Sequence, residues 1–284
     1  MKIVKFLGGL GNQMFQYAFY LSLRKNFNNV KADISNFKNY TLHQGFELNR
    51  IFNIDLDLAS SFSIDLYNIH NRKWMYRKLR SILGLKKAYF IEAEEFQYRP
   101  QIYQNVAPTY YDGYWQNENY FSDIEGQLRK AFEFKKPLTG RNLELAKIIT
   151  STQSVSIHIR RGDYLNHPVH GNICNLDYYS EAKQIIDKEI DRPQYFIFSD
   201  DINWCIENLN IESAHYINWN TGNESYIDLQ LMSLCKNQII ANSTFSWWGA
   251  WLNTNENKLV IAPKKWLNTN PNSSEILLEQ WIKI

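Results

Sequence analysis

Cysteine is scarce in this chain: Cys174, Cys205 and Cys235 are the only three in 284 residues. They are odd in number, far apart and never spaced as C-x-x-C, so neither a disulfide framework nor a cysteine zinc site is expected, which suits a reducing cytoplasm. A charge excess is also missing. Thirty-one Lys and Arg against 29 Asp and Glu leave +2, which argues against the basic footprint of a nucleic-acid binder, so no nucleic-acid partner is expected. No apolar run approaches the ~20 residues a membrane helix needs. Met1 leads directly into K-I-V-K-F-L, too short for the apolar core of a secretory leader. Repeats and low-complexity tracts are absent as well.

Apolar and aromatic residues are abundant, at 44% and 15%, enough for a sizeable core in one large domain or in two of roughly 140 residues. The chain opens on a strand, Ile3 to Leu7, a glycine turn, Gly8 to Gly11, a helix from Asn12 to about Asn26, and a strand from Val30 to Ile34. This β-loop-α-β unit contains Gly9-x-Gly11, with Asp33 some twenty residues on, a partial dinucleotide fingerprint in which Met14 occupies the third glycine's place. Asp55-Leu56-Asp57 has the D-x-D form used to hold a divalent cation. Its alternation with Ile54, Leu56 and Leu58 reads instead as a half-exposed extended segment.

Residues 72–87 carry seven Lys or Arg and no acid, interleaved with Trp74, Met75, Tyr76, Leu79, Ile82, Leu83 and Leu85. Such a helix either rests on an anionic membrane surface or offers a solvated face over a core stripe. The second reading is slightly preferred, and a lipid-linked substrate would give the first a purpose. The stretch Tyr110 to Phe121 is the most aromatic in the chain. Sugars bind aromatic faces while amides and carboxylates read their hydroxyls, so Tyr114, Trp115, Gln116 and Tyr120 are candidate sugar-binding residues, with Asp112 at the strand's end. The structural alternative is a core strand followed by a polar turn.

After a connection from Lys135 to Ser154 the chain alternates strictly between strands and helices, which predicts a doubly wound parallel sheet. A final helix over Ser274 to Ile284 is expected to cross back onto the first domain. The first strand of this half, Val155 to Ile159, ends in His158-x-Arg160-Arg161-Gly162-Asp163. Open α/β sheets place ligands at the carboxyl ends of their strands, and two adjacent guanidiniums there suit a diphosphate, because the planar fork holds two phosphoryl oxygens at any working pH. Gly162 would let the backbone approach it. The plain alternative pairs both arginines with local carboxylates, Asp163 first, and makes His158 a core imidazole. Asp200 and Asp201 follow the next strand, where a carboxylate either accepts guanine N–H groups or caps the following helix. Asn242, Ser243, Thr244 and Ser246 stand between a strand and a helix, a ready anion site.

His158 to Tyr164 (H-I-R-R-G-D-Y), Gly8 to Ala18 (G-G-L-G-N-Q-M-F-Q-Y-A) and Asn242 to Leu252 (N-S-T-F-S-W-W-G-A-W-L) together resemble the bacterial α-1,2-fucosyltransferases of glycosyltransferase family eleven, and the resemblance runs nearly end to end. It implies a GT-B arrangement: an acceptor-side α/β domain over residues 1–149, a GDP-fucose-binding α/β domain over 150–270, facing across a cleft, and the closing helix over 271–284. It implies transfer of L-fucose from GDP-β-L-fucose to the 2-hydroxyl of a galactose-terminated oligosaccharide, lipid-linked or free, with inversion. Arg160 would stabilise the departing GDP, and Gly9, Gly11 and Asn12 would approach the donor. A general base is left open among Asp112, Glu118 and Asp163, or is absent. The arginines supply the charge a metal would bring, so neither a metal nor a further cofactor is expected. The expected location is the cytoplasm, or the inner face of a bacterial plasma membrane through 72–87. Two alternatives stand beside this: an NAD(P)-dependent oxidoreductase built on Gly9-x-Gly11, and a carbohydrate-binding protein without chemistry.

Overall fold

A computed structural model describes residues 1–39 and 43–284, and the chain divides into two compact units, Met1–Lys135 and Lys136–Ile284. The first holds strands β1 (Lys2–Lys5), β2 (Val30–Asp33), β3 (Tyr89–Ile91) and β4 (Thr109–Asp112). Its helices are α1 (Leu10–Asn26), α2 (Leu48–Ile51), α3 (Ser61–Tyr67), α4 (Trp74–Ile82), α5 (Gln101–Gln104) and α6 (Glu125–Ala131). The strands form a parallel sheet in the order β2-β1-β4-β3. Helix α1 is apolar on most sides and is buried along nearly its whole length up to Leu23, with Arg24 and Lys25 at its carboxyl end, where the helix dipole favours cations.

The second unit holds β5 (Ser154–Ile159), β6 (Gln194–Ser199), β7 (His215–Ile217), β8 (Asn237–Ile239), β9 (Val260–Ala262) and β10 (Ile282–Lys283). Its helices are α7 (Gly140–Ser151), α8 (Leu176–Glu189), α9 (Ile202–Asn208), α10 (Tyr226–Leu234) and α11 (Thr244–Leu252). All six strands are parallel, ordered β7-β6-β5-β8-β9-β10. Counted from β5, that is the 3-2-1-4-5-6 order of doubly wound nucleotide-binding sheets. Every residue of β5 is buried, as a strand covered on both faces must be. The order reverses between β5 and β8, and the space beyond their carboxyl ends is where such sheets hold ligands.

Two expectations about the chain's organisation are corrected. The division falls at Lys135/Lys136 rather than 149/150, because α7 buries Leu145, Ala146 and Ile149 within the second unit. The closing helix does not form. Residues Ser273–Ile276 make one 3-10 turn, and Ile282 and Lys283 pair with Ile261 and Ala262 as the edge strand β10. Sheet pairing, with Trp247 Nε1 donating to the Ile276 carbonyl (2.8 Å), outweighs a helical pattern barely three turns long.

Candidate active site

At the end of β5 the polarity inverts and five charged side chains interlock. Arg160 pairs with Asp163 (2.8 Å) and Asp200 (3.0 Å), and Arg161 Nε donates to Asp201 (3.1 Å). The Arg161 backbone N–H also donates to Asp200 Oδ1 (2.9 Å), so both Asp200 oxygens are engaged. Asp201 caps α9 by accepting the Trp204 N–H (3.3 Å), and the Arg161 guanidinium lies 3.7 Å over the Trp204 ring. One helical turn therefore aims one arginine, while Asp200 aims the other. Burial opposes the Arg160 charge, but Asp200 and Asp163 outweigh it and hold its pKa above the ordinary value. The clamp is preorganised, and its charge is neutralised by carboxylates a diphosphate would have to displace.

Gly162 serves a different partner from the one expected. A Cβ there would meet Asp200 Oδ2 at 3.0 Å, so the missing side chain makes room for the carboxylate that braces Arg160. His158 is buried, its Nδ1 has no hydrogen-bond partner among the described residues, and burial, with Arg160 adding to it, pushes its pKa down to about 3. It is a neutral imidazole, packed 5.7 Å from the Phe245 ring.

Beyond β8, Ser243 holds the N-cap position of α11 with no side-chain capping hydrogen bond, and the helix begins at the same sheet end. The side chains of this turn brace rather than reach. Asn242 is buried and donates to the His170 and Trp266 carbonyls (both 3.1 Å). Ser246 Oγ donates back to Ala241 and Ser243. These two expected ligands are thus positioning groups, and what the turn offers an anion is its backbone, with Thr244 at the helix start. Trp247, Trp248 and Trp251 pack in the core.

In the first unit, the carboxyl end of the sheet gathers the Gly8–Asn12 turn and the Gly113–Gln116 turn. Gly8 sits at φ +80, and a Cβ there would meet Asn12 at 2.6 Å, a position open only to glycine. Gly9 precedes α1 and Gly11 is buried in its first turn. Gln116 Nε2 donates to Asn12 Oδ1 (2.9 Å), and Gln16 accepts the Leu7 N–H (3.0 Å) and donates to the Gly113 carbonyl (3.2 Å). Gln13 is buried on the Gly8 and Gly45 carbonyls and the Glu47 N–H. Gln13 and Gln16 are therefore braces of these turns.

Two of the four aromatic-stretch candidates are corrected. Trp115 and Tyr120 are fully buried, with Trp115 stacked 4.2 Å on Phe19 and Tyr120 edge-on to both. Both rings belong to the core, which leaves at the sheet end the half-buried Tyr114 and Gln116, itself buried at 8% exposure. Asp112 is held by Lys5 (2.9 Å) and the Tyr89 hydroxyl (2.5 Å). Asp33 is buried under Tyr110 Oη (2.6 Å) and the Ser35 N–H (2.8 Å), so it is not presented to a ribose. Asp57 pairs with Lys31 (2.6 Å).

Glu92 is a further group at this sheet end, with no mark in the sequence. It is buried just past β3, its Oε2 accepts the Tyr114 and Trp115 N–H groups (2.6 and 3.1 Å), its Oε1 has no partner among the described residues, and burial pushes its pKa up to about 7. A lone glutamate in E-A-E-E carries no periodic signal. Only the left-handed turn at Trp115 (φ 59), whose amides it collects, explains it.

The family model for glycosyl transferase family 11 matches residues 1–284. An alpha-1,2-colitosyltransferase of Escherichia coli is 37% identical over 92% of this chain and 90% of its own length. An O-antigen biosynthesis glycosyltransferase of the same organism is 36% identical over 91% and 92%. Galactoside alpha-(1,2)-fucosyltransferase 2 of Bos taurus is 25% identical over 90% and 70%. The crystal structure of the fucosyltransferase NodZ from Bradyrhizobium superposes with a TM-score of 0.54 at 13% identity, covering 87% of this chain and 91% of that one. That likeness concerns the fold, which is of the GT-B class, with α/β units on parallel sheets. With a full-length family match and relatives above 30% identity along nearly all of it, the chain belongs to glycosyl transferase family 11.

Proposed function

We propose that this glycosyltransferase moves L-fucose from GDP-β-L-fucose to the 2-hydroxyl of a terminal galactose, inverting the anomeric centre, in the assembly of a surface glycan. The observation that carries the reading is the convergence of Arg160 and Arg161 after β5 with the amide-bearing start of α11 after β8, at the point where strand order reverses. As the glycosidic bond breaks, charge accumulates on the GDP β-phosphate. Guanidiniums fixed beforehand by Asp200, Asp201 and Trp204 stabilise that charge more than the ground state. Arg160 takes the phosphate and Arg161 supports it. Asp200 exchanges its hold on Arg160 for the incoming nucleotide, with a guanine N–H as the natural replacement donor.

The acceptor binds through Tyr114 and Gln116. Its proton leaves to a carboxylate or to the departing phosphate itself. Asp112 is a weaker base in this scheme because Lys5 and Tyr89 already occupy it. No metal enters the scheme, since two arginines bring the neutralising charge.

A second donor is favoured by one observation, the 37% identity to a colitosyltransferase; colitose lacks the 3-hydroxyl of fucose. Incubation with lactose and each GDP-sugar, followed by linkage analysis, tests both. The expected product is an α-1,2-linked disaccharide unit formed with one GDP released per transfer. Donor hydrolysis alone, or lactose affinity without GDP release, contradicts a transferase, and a higher kcat/KM for GDP-colitose assigns the second donor.

A further inference from the structure

The basic helix foreseen from the sequence buries one apolar edge, Tyr76 with Leu79 packed on the same core, and leaves other apolar side chains in solvent. In α4, Tyr76 is buried, but Trp74, Met75 and Ile82, with Leu83 just past the helix end, are 72%, 47%, 68% and 55% exposed. Trp74, Lys78 and Ile82 follow at i, i+4 and i+8, and Met75 falls beside Ile82, so the exposed apolar residues form one continuous stripe. Phe62 of α3 is also exposed beside Tyr76, with ring centroids 5.9 Å apart. Trp74, Met75 and Ile82 thus stand in solvent although the helix already has a buried edge, a pattern that a solvated face over a core does not require.

Charge surrounds this stripe. Arg72, Arg77, Arg80 and Lys86 line, with Ile69, a pocket of about 490 Å³. Arg80 is buried and spends its donors on the Asp65, Leu66, Asn68 and Asn71 carbonyls. Arg72, Lys73, Arg77, Lys78, Lys86 and Lys87 make no salt bridge among the described residues of this unit. Asp65, the nearby carboxylate, is occupied by Asn71 (2.9 Å) and Tyr76. Lys78 sits 5.0 Å over the Trp74 ring, so cation and indole share one patch.

We propose that residues 72–87 dock in the interface of an anionic phospholipid bilayer. Trp74, Met75, Ile82 and Leu83 enter the headgroup–acyl boundary, and the Arg72–Arg77–Lys86 pocket takes a lipid phosphate. A helix with an apolar stripe ending in tryptophan, flanked by unpaired cations, fits an interface that offers hydrocarbon below and negative charge above. The surface is separate from every residue assigned to the reaction, and its role is to hold the enzyme where lipid-borne acceptors lie.

The test is co-sedimentation of the full chain with phosphatidylglycerol or phosphatidylcholine vesicles. The wild type is expected to sediment with the first and not the second, with binding weakened by salt. Arg72→Gln and Arg77→Gln should each lower the partition roughly fivefold, and Trp74→Ser with Ile82→Ser by at least tenfold, at unchanged Tm and unchanged turnover on lactose. Trp74→Phe keeps the apolar body and guards against a folding artefact. It should retain binding while losing tryptophan quenching by brominated phosphatidylglycerol. Equal binding to both vesicles, wild-type partition of the serine variant, or unaltered quenching in Trp74→Phe overturns the proposal. So does thermal protection by inorganic phosphate without vesicle binding, which assigns the pocket to a soluble anion. A dimer abolished by the serine variant, again without vesicle binding, assigns the stripe to a second copy.

Discussion

Replacing Arg160 by alanine separates chemistry from folding. The side chain is 30% exposed and its partners Asp163 and Asp200 are 56% and 25% exposed. Ion pairs this open to solvent contribute about 0–1 kcal/mol each, so losing both costs about 0–2 kcal/mol, a Tm decrease of at most several degrees. Asp200 keeps its bond from the Arg161 N–H and is not stranded. The enzyme therefore stays folded at 25 °C. Loss of one preorganised donor aimed at developing charge costs about 10²–10³ in kcat. GDP release from GDP-fucose in the presence of lactose, measured over both substrates, should show that fall mainly in kcat. Arg160→Lys should recover part of it, since an ammonium keeps charge but not the planar fork. A kcat within about threefold of wild type, with an intact melting transition, would refute the reasoning.

The remaining predictions address each half of the site. Glu92 has its pKa raised by burial from 4.5 to about 7, so the folded state binds more protons between those values and its contribution to stability is full below about pH 4.5 and lost as pH rises through 7. Glu92→Gln keeps an acceptor for the Tyr114 and Trp115 amides and removes the buried charge. Melting curves should show it more stable than wild type at pH 8, by on the order of 3 kcal/mol, and little different at pH 4.5; the reverse order denies that Glu92 is buried as an acid. Trp115→Ala should cost about 3–5 kcal/mol of stability, whereas Gln116→Ala, which removes one buried hydrogen bond to Asn12, should cost only about 1 kcal/mol and raise the acceptor KM, and a Tm loss as large as that of Trp115→Ala without a KM change would make it a core residue alone. Transfer should persist after exhaustive chelation, and inactivation restored by one divalent cation would reinstate Asp55 and Asp57.

Much of the fold could be read from the chain because its signals are local. The alternation in Val155–Ile159 and the strand-helix repetition after it define a doubly wound sheet, and the glycines at 8–11 mark the turn before α1. What could not be read depends on distant partners. Trp115 and Tyr120 look like sugar platforms in sequence, and only the face of α1, through Phe19, makes them core. Ile276, Leu277 and Trp281 keep helical spacing, yet the segment makes only one 3-10 turn before Ile282 and Lys283 take the free edge of β9. The arginine pair was legible as a cationic end to β5, but its neutralisation by Asp200 and Asp201 joins residues about 40 positions apart, and Glu92 needed the β3–β4 pairing to reach the turn after β4.

The most direct test of the central claim is a crystal structure with GDP. The account predicts both phosphates beyond the ends of β5 and β8, with Arg160 nitrogens about 3 Å from phosphoryl oxygens and the Arg160 pairs with Asp163 and Asp200 opened or shared. Nucleotide bound elsewhere, with those two ion pairs intact at the 2.8 and 3.0 Å of the free protein, would contradict it.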